Sequence, residues 1–257
     1  MFRFIHRHST IIGSLVMREI VTRFGREGLG FLWLVGEPLM FCLGVMTLWW
    51  VLKPEYEHGI RVAPFVMTGY MSILLFRHVV SQASGALQAN VGLLYHRRVH
   101  PLHIYISRTL MEMAGGTVAF FIVYVLLLLL GLVELPSNYI LLYGGYILMA
   151  LLSHGFGVCV AALGIRFEVM ERILPVSMYL MIPLSGAFIM VDWVPQRYQG
   201  IYLLNPLPHT VEMIRASVFG EFVPTHYDIG YALAWALGLN LLALMLLSQT
   251  QRFLDIE

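Results

Sequence analysis

The chain has 257 residues, of which 59% are hydrophobic and 12% are charged, and its mean hydropathy is +0.77. Soluble domains carry about 25% charged residues, so this composition excludes a soluble enzyme and a disordered chain and indicates an integral membrane protein. The formal net charge of +1 gives no overall attraction to nucleic acid, and we expect no nucleic-acid partner.

The first predicted element is an amphipathic helix over residues 8–27. We expect its apolar half to lie in the acyl boundary of the membrane and its arginine-bearing half to face anionic lipid. A simple positively charged anchor and a partner-binding helix remain alternatives. The apolar half comprises Ile12, Val16, Met17, Ile20, Val21 and Phe24; the polar half comprises Ser14, Arg18, Glu19, Thr22 and Arg26, and Leu15 and Arg23 blur the division.

Six later stretches are long and apolar enough to cross a membrane as helices, which takes about 20 residues for roughly 30 Å of hydrocarbon. Their apolar runs are continuous rather than alternating, which favours helices over barrel strands. The fifth is the weakest, because Pro175 and Pro183 interrupt it. The six predicted spans are 31–52, 63–82, 113–133, 139–164, 173–191 and 229–248.

Basic residues indicate the orientation of the spans, because cytoplasmic segments are enriched in Arg and Lys. With both termini in the cytoplasm, eleven basic residues fall inside, four fall outside, and Arg77 remains within the second span. An even number of spans agrees with this. We therefore expect cytoplasmic termini and a single domain over 1–257, with a six-helix bundle over 31–248.

The segment that follows the second span predicts a short exposed helix around residues 90–98, with the sequence NVGLLYHRR. A small apolar knob beside two arginines is suited to docking into a groove on a soluble partner. A basic loop that only fixes topology is the alternative. The residues in question are Asn90, Leu93, Leu94, Tyr95, Arg97 and Arg98.

No metal site is expected. His96, His100 and His103 are spaced by four and three residues, but Pro101 between them disfavours the helix that would align them. Cys42 and Cys159 lie in separate apolar runs, without the spacing of a metal site or a disulfide framework, so we expect inert buried thiols.

The connection over residues 183–228 is too apolar and aromatic for a free loop. Pro195, Pro206 and Pro208 are predicted to break it into short helical pieces. Such a segment is typical of a re-entrant element, because non-spanning backbone at membrane depth is tolerated where protein or an aqueous cavity surrounds it. A gate on the outer side is the functional interpretation, and a helix lying in the outer interface is the alternative.

Arg77, with His78 beside it, lies about 21 Å from Ala63 at helical rise and so in the cytoplasmic third of its span. We expect it either to face a pore and meet an anionic group or to reach the headgroups with its long side chain. Glu37 is its candidate ion-pair partner. Tyr70 lies deep enough to stack on a sugar ring, whereas Trp49, Trp50 and Trp193 are typical of interfacial belts.

Four stretches together resemble the membrane subunit of ABC-2 type exporters, specifically those of capsular polysaccharide. The N-terminal signature is matched by 18–20 (REI), 23–33 (RFGREGLGFLW) and Glu37-Pro38, and the coupling helix by the basic segment after the second span. The second cytoplasmic loop is matched by 165–168 (IRFE), where the family often has Arg-Asp. The outer segment is matched by 183–186 (PLSG) and 205–215 (NPLPHTVEMIR).

The resemblance implies a homodimer of six-helix subunits in the bacterial inner membrane, joined to two ATPase subunits that bind ATP and Mg. No G-x-x-x-x-G-K-[ST] loop occurs here, and the only lysine is Lys53, so this chain is not expected to be the ATPase and needs no cofactor of its own. The implied substrate is a lipid-linked polysaccharide, passed to a periplasmic adaptor and an outer-membrane export protein.

Three groups of functional residues are therefore predicted, and none is catalytic. Coupling to the ATPase is assigned to the segment containing Asn90, Leu93, Leu94, Tyr95, Arg97 and Arg98, together with Glu168. The substrate path is assigned to Arg77, His78, Tyr70 and Glu37, and the outer gate to Asn205, Pro206, His209, Glu212 and Arg215. An exporter of O-antigen, teichoic acid or another amphiphile is the first alternative. A membrane-embedded transferase is a distant one, because no cluster of acids or His/Asp pair is evident.

Overall fold

The computed structural model describes residues 2–24, 30–95, 99–167, 169–220 and 223–254. Within these, helices dominate and a two-stranded antiparallel hairpin is the remaining regular element. In chain order the elements are α1 (Phe2–Phe24), α2 (Gly30–Leu52), β1 (Tyr56–Glu57), β2 (Ile60–Arg61), α3 (Val62–Ala83), a 3₁₀ turn (Gln88–Asn90), α4 (Val91–Tyr95), α5 (Pro101–Leu129), α6 (Tyr139–Gly164), α7 (Val169–Leu184), a 3₁₀ turn (Val191–Trp193), α8 (Gln196–Tyr202), α9 (Pro206–Phe219) and α10 (Ile229–Leu254).

Five helices of the described part are long and apolar enough to cross a membrane: α2, α3, α5, α6 and α10. The fifth predicted span, 173–191, corresponds to α7, which has 16 residues and ends at Leu184. At 1.5 Å per residue it is about 24 Å long, and the chain beyond it turns rather than continuing as helix to 191. The predicted end of this span is therefore wrong, and the six-span arrangement stays a prediction.

Helix α5 begins twelve residues earlier than the predicted span at 113. The side chain of His100 caps it by accepting a hydrogen bond from the Leu102 amide, and Pro101 occupies the first turn, where a missing N–H costs nothing. Arg108 and Glu112 consequently lie inside a long helix rather than in a cytoplasmic loop. Both are buried.

Helix α6 lies at the centre of the bundle and packs against α3, α9 and α10. Small residues allow α6 to approach its neighbouring helices closely. A Cβ added at Gly155 would lie 2.9 Å from the Asn240 backbone nitrogen of α10, and one at Gly145 would lie 3.1 Å from the Thr210 carbonyl oxygen of α9. Membrane helices commonly pack through such small residues.

Helix α1 packs against α5 and α2, so it is more than a helix lying free on the membrane. Its buried face is centred on Leu15 and Glu19, whereas Met17 and Val21 are 61% and 62% exposed. The predicted division placed Glu19 in the polar half, which was expected to face anionic lipid. Glu19 is buried instead because Arg108 of α5 supplies the opposite charge at 3.1 Å.

The outer connection contains one exposed and one buried helix. Eleven of the fourteen residues of α9 are buried against α3, α6 and α10, so this helix packs into the bundle. Pro195 immediately precedes α8, and Pro206 is the first residue of α9, as expected of helix breakers. Pro208, by contrast, lies in the first turn of α9, where no intrahelical N–H bond is lost, so its predicted break is wrong.

Candidate functional site

The four residues predicted to form a substrate path line a single cavity of about 720 Å³. Glu37 contributes from α2, and Tyr70, Arg77 and His78 contribute from α3 at a spacing that places them on one face of the helix. Helix α7 forms the third wall. The remaining lining residues are Phe41, Leu74, Ser81, Ser84, Glu171, Leu174, Pro175, Met178 and Tyr179.

His78 lies between two carboxylates. Its Nε2 atom is 3.8 Å from Glu37 Oε1, and its Nδ1 atom is 3.5 Å from Glu112 Oε2. Both distances exceed those of a good hydrogen bond, so the contacts are electrostatic ones that strengthen when the imidazole is protonated. Sequence reasoning missed Glu112 because it treated the residues before 113 as a loop. The signal that could have found it is its spacing of four residues from Arg108 on one helix face.

The predicted ion pair between Glu37 and Arg77 is not formed. The guanidinium of Arg77 lies 5.1 Å from the centre of the Tyr179 ring on α7. Successive residues of a helix point about 100° apart, so His78 faces α2 while Arg77 faces α7. His78 therefore lies beside Glu37, which was predicted to pair with Arg77.

The predicted coupling segment is described only in part. Asn90 is buried: its Oδ1 accepts a hydrogen bond from Arg18 Nη2 of α1 at 2.9 Å, and its Nδ2 donates to the Ala86 carbonyl at 2.8 Å. Leu93 packs half-buried against the apolar cluster around Leu87. Asn90 thus holds the segment in place rather than facing a partner. The side chains of Leu94 and Tyr95, and residues Arg97, Arg98 and Glu168, lie outside the described residues.

Two contacts join α1 to α5 beside this segment, Glu19 with Arg108 and His8 with His103, and Arg108 also reaches α3. Arg108 Nε donates to Glu19 Oε1 at 3.1 Å, and Arg108 Nη1 donates to the Gln82 carbonyl at 2.6 Å. His8 Nδ1 lies 2.7 Å from His103 Nε2. Because His103 Nδ1 accepts the His100 amide proton at 3.0 Å, its Nε2 carries the hydrogen and donates it to His8.

The histidines here act as hydrogen-bonding groups. Partial burial, and secondly the nearby His8, lower the pKa of His100, which is outside the spans. Across the described residues no group of three His, Cys, Asp or Glu side chains is placed to hold a metal ion. His96 lies outside those residues.

The predicted outer-gate residues belong to one packed cluster on α9. The side chain of Asn205 accepts from the Leu207 amide at 3.1 Å and donates to the Leu184 carbonyl at 2.9 Å, so it caps α9 and holds the end of α7. Pro206 occupies the first turn. His209 Nδ1 accepts from the Asp228 amide at 2.9 Å, and its Nε2 donates to the Leu203 carbonyl at 2.8 Å.

Glu212 and Arg215 form the fully buried part of this cluster, with 0% of either side chain exposed. The Glu212 carboxylate accepts from the amides of Val191 and His226 at 3.5 and 3.2 Å. Its Oε1 lies 3.6 Å from Arg215 Nη1.

Arg215 holds the turn that follows α7. It donates to the carbonyls of Gly186 and Ala187 at 2.6 and 2.7 Å, and its guanidinium lies 4.2 Å from the centre of the Phe65 ring. A glycine in α3 makes this possible, because a Cβ at Gly69 would overlap the Ala187 carbonyl oxygen and approach Arg215 Nη2 at 2.7 Å. None of the five predicted gate residues lines the cavity between α2, α3 and α7.

Comparison with known proteins agrees with the family suggested by the sequence motifs. The profile of the ABC-2 type transporter family matches residues 10–219. The chain is 34% identical over 239 residues to the capsule polysaccharide export inner-membrane protein CtrC of Neisseria meningitidis serogroup A, covering 93% of this chain and 90% of CtrC. It is 33% identical over 245 residues to the protein BexB of Haemophilus influenzae, which has the same descriptive name, covering 95% and 92%.

A more distant relative extends the comparison. The polysialic acid transport protein KpsM of Escherichia coli is 29% identical over 224 residues, which cover 86% of this chain and 85% of KpsM. The family profile spans most of the chain, and the relatives match it nearly end to end. On this evidence, the chain belongs to the ABC-2 type transporter family.

Proposed function

We propose that this chain is the membrane subunit of an ATP-driven exporter that moves lipid-linked capsular polysaccharide across the bacterial inner membrane. The observation that carries the proposal is the nearly full-length similarity to proteins named for capsule polysaccharide export. The polar cavity supports it, because a polymer of many sugars needs a polar path through an otherwise apolar bundle.

The proposed assembly is a homodimer with two ATPase subunits, which bind ATP and Mg, and with both termini of this chain in the cytoplasm. Large apolar side chains beside the cavity are exposed on two helices, Phe41 on α2 and Val176, Tyr179 and Leu180 on α7. A second copy packed against these helices would enclose the cavity. A periplasmic adaptor and an outer-membrane export protein complete the proposed route.

Within the proposed path the four cavity residues have separate roles. Tyr70 offers a ring face for stacking against a sugar, and Glu37 and His78 offer hydrogen-bonding groups for hydroxyls. Arg77 lies at the α7 wall, where an arriving anionic group, either a lipid phosphate or an acidic sugar, would compete with the Tyr179 ring for the guanidinium. Because the polymer is longer than the cavity, the path must be continuous through the dimer.

Energy coupling is assigned to residues 90–98 and Glu168, which we propose face the ATPase. The buried Asn90–Arg18 contact supports a fixed platform there. Replacing both Arg97 and Arg98 by glutamate is expected to lower export and substrate-stimulated ATP hydrolysis while membrane insertion stays normal. Arg197→Glu, which changes an exposed arginine of α8, is the matched control. Normal export in the double variant would contradict this assignment.

We also propose that the connection over 183–228 is re-entrant and forms the outer gate. The burial of α9 among α3, α6 and α10 supports this, because a helix too short to span lies inside the bundle. The cluster of Asn205, Pro206, His209, Glu212 and Arg215 would form the fixed frame of that gate.

Deletion of the gene in its source organism tests the proposal as a whole. Polymer trapped in the cytoplasm on its lipid is the expected result, and complementation with the intact gene should restore surface polymer. The identity of the lipid then separates capsule from O-antigen or teichoic acid. Unchanged surface polymer, in a strain with no second exporter, would contradict the function. Co-purification of an ATPase subunit with the tagged chain tests the assembly independently.

A further inference from the structure

Glu112 is a charged residue beside the polar cavity that the predicted substrate path does not include. Its side chain is 5% exposed, and its Oε2 atom lies 3.5 Å from Nδ1 of His78. Glu112 belongs to α5, whereas the described residues that line the cavity belong to α2, α3 and α7 and to the residues just after α3. Its influence on a molecule in the cavity therefore passes through His78.

Two carboxylates compete for the single ring hydrogen of a neutral His78. Glu112 Oε2 lies 3.5 Å from Nδ1, and Glu37 Oε1 lies 3.8 Å from Nε2. The Glu37 side chain is 41% exposed and the Glu112 side chain is 5% exposed, so water screens the charge of Glu37 more strongly. An N–H group is attracted most by the closer and less hydrated carboxylate. The hydrogen is therefore expected on Nδ1, directed at Glu112.

We propose that Glu112 is a positioning residue that fixes the tautomer of His78. With the hydrogen on Nδ1, Nε2 keeps its lone pair and is a hydrogen-bond acceptor. Nε2 and Glu37 Oε1 then form a pair of acceptors 3.8 Å apart on one side of the cavity. This inference rests on the proposed function and specifies which chemical group this side of the path accepts.

A pair of acceptors is suited to two neighbouring hydroxyl groups of a sugar ring. Each hydroxyl donates one hydrogen, the first to Nε2 of His78 and the second to Oε1 of Glu37, so the sugar relieves the repulsion between the two lone pairs. An ionised phosphate or carboxylate has no hydrogen to donate and is repelled. Arg77, which faces α7, supplies a positive charge for such groups. The two sides of the cavity thus separate sugar hydroxyls from anionic groups.

Two substitutions of Glu112 separate its charge from its ability to accept a hydrogen bond. Glu112→Gln keeps an oxygen that can accept from Nδ1 of His78, so the tautomer should be retained. Glu112→Leu removes the acceptor, and the hydrogen should move to Nε2, where the Glu37 carboxylate attracts it. Glu134→Gln changes an exposed carboxylate beyond the C-terminal end of α5 and is the matched control.

Solid-state NMR of the full-length chain in liposomes reads the tautomer directly. Histidine labelled with nitrogen-15 and carbon-13 shows which ring nitrogen carries the hydrogen, and His78→Gln identifies the signal among the ten histidines. At pH 8.5 we expect the hydrogen on Nδ1 in the wild type, Glu112→Gln and Glu134→Gln, and on Nε2 in Glu112→Leu. Hydrogen on Nε2, or on both nitrogens, in the wild type would overturn the proposal. So would a hydrogen that stays on Nδ1 in Glu112→Leu.

A second measurement tests the acceptor pair and separates it from the proposed function. In liposomes that hold the complex with its ATPase, we measure the concentration of lipid-linked polymer that half-maximally stimulates ATP hydrolysis. Loss of one hydrogen bond in Glu112→Leu should raise it about two- to tenfold with little change in the maximal rate, and Glu112→Gln should restore it. An unchanged value in Glu112→Leu would refute the acceptor pair. Absence of stimulation in the wild type would contradict the proposed function, whereas the NMR result would still decide the role of Glu112.

Discussion

Two buried arginine–glutamate pairs serve different purposes in this molecule. In the α1–α5 pair, Arg108 and Glu19 are 3.1 Å apart, 11% and 10% exposed, and join two helices. In the α9 pair, Arg215 and Glu212 are one turn apart on a single helix and fully buried at 3.6 Å. The α9 pair makes most of its hydrogen bonds to backbone groups of the connections before and after it.

This difference suggests separate roles: the α9 pair holds several connections together, whereas the α1–α5 pair joins two helices beside the proposed coupling segment. Loss of the α9 pair would leave buried amides and carbonyls unsatisfied in several connections at once. Loss of the α1–α5 pair would loosen one helix from its neighbour beside the proposed coupling segment. We therefore expect the first to affect folding and the second to affect ATP-driven transport.

The largest effect is expected for Arg215→Met. Removing one partner of a buried ion pair costs about 3–5 kcal/mol, because the other charge is left uncompensated. Thermal unfolding of the detergent-solubilised chain and its level in membranes measure this loss. The double variant Glu212→Gln/Arg215→Met should recover part of it, since no lone charge remains. Wild-type stability in Arg215→Met would contradict the structural role of the pair.

Gly69→Ala should lower the stability of the fold in the same region, through steric overlap alone. The added methyl group overlaps the Ala187 carbonyl that Arg215 holds, and overpacking of this kind costs about 1–3 kcal/mol. Gly44→Ala is the control, because its methyl group meets nothing and alanine favours a helix by about 1 kcal/mol over glycine. Thermal unfolding should show a lower unfolding temperature for Gly69→Ala and a higher one for Gly44→Ala.

Glu19→Gln addresses the α1–α5 pair. Its amide oxygen can still accept from Arg108, but Arg108 loses its opposite charge, so we expect a stability loss of about 1–3 kcal/mol, smaller than that of Arg215→Met. Substrate-stimulated ATP hydrolysis of the reconstituted complex should nevertheless fall. Glu57→Gln removes the charge from an exposed pair with Lys53 in the hairpin and should leave hydrolysis unchanged. A large stability loss with normal coupling would reverse our assignment of the two pairs.

The smallest effect concerns pH. The lowered pKa of His100 means that, below about pH 6.5, the unfolded chain binds more protons at this residue than the folded chain does. The His100 contribution to stability is therefore complete above that pH and declines on acidification. His100→Asn preserves the cap of α5, so it should reduce the drop in unfolding temperature between pH 7.5 and 5.5. An unchanged drop would show that other groups account for it.

Most of the polar lining of the cavity could be predicted from the sequence, because three of its residues are spaced so as to share one face of α3. Tyr70, Arg77 and His78 are seven and eight residues apart, and Glu37 lies in the adjoining span. The shared face of Tyr70, Arg77 and His78 follows from helical periodicity, whereas the contribution of Glu37 depends on how α2 packs against α3. Which residue pairs with which does not follow, because that depends on the rotation of α3 relative to α2 and α7.

The burial of charged groups was less accessible to sequence reasoning. Glu19, Glu112 and Arg215 are polar residues next to apolar ones, a pattern that also describes an exposed helix face. Their burial depends on partners distant in sequence, such as Arg108 for Glu19 and the Gly186 and Ala187 carbonyls for Arg215. The early start of α5 was hidden for a related reason, since a histidine cap carries little sequence signal.

The shortness of α7 has a consequence for the lipid around it. A helix of 16 residues is about 6 Å shorter than the hydrocarbon of a typical bilayer. In the proposed six-span arrangement, a hydrophobic mismatch of this size would be relieved in part by thinning of the adjacent bilayer. Because α7 also forms one wall of the polar cavity, the thinnest part of the membrane would lie beside Arg77. In that arrangement, a lipid headgroup crossing beside Arg77 would meet a lower barrier than one crossing beside the long helices α5 and α6.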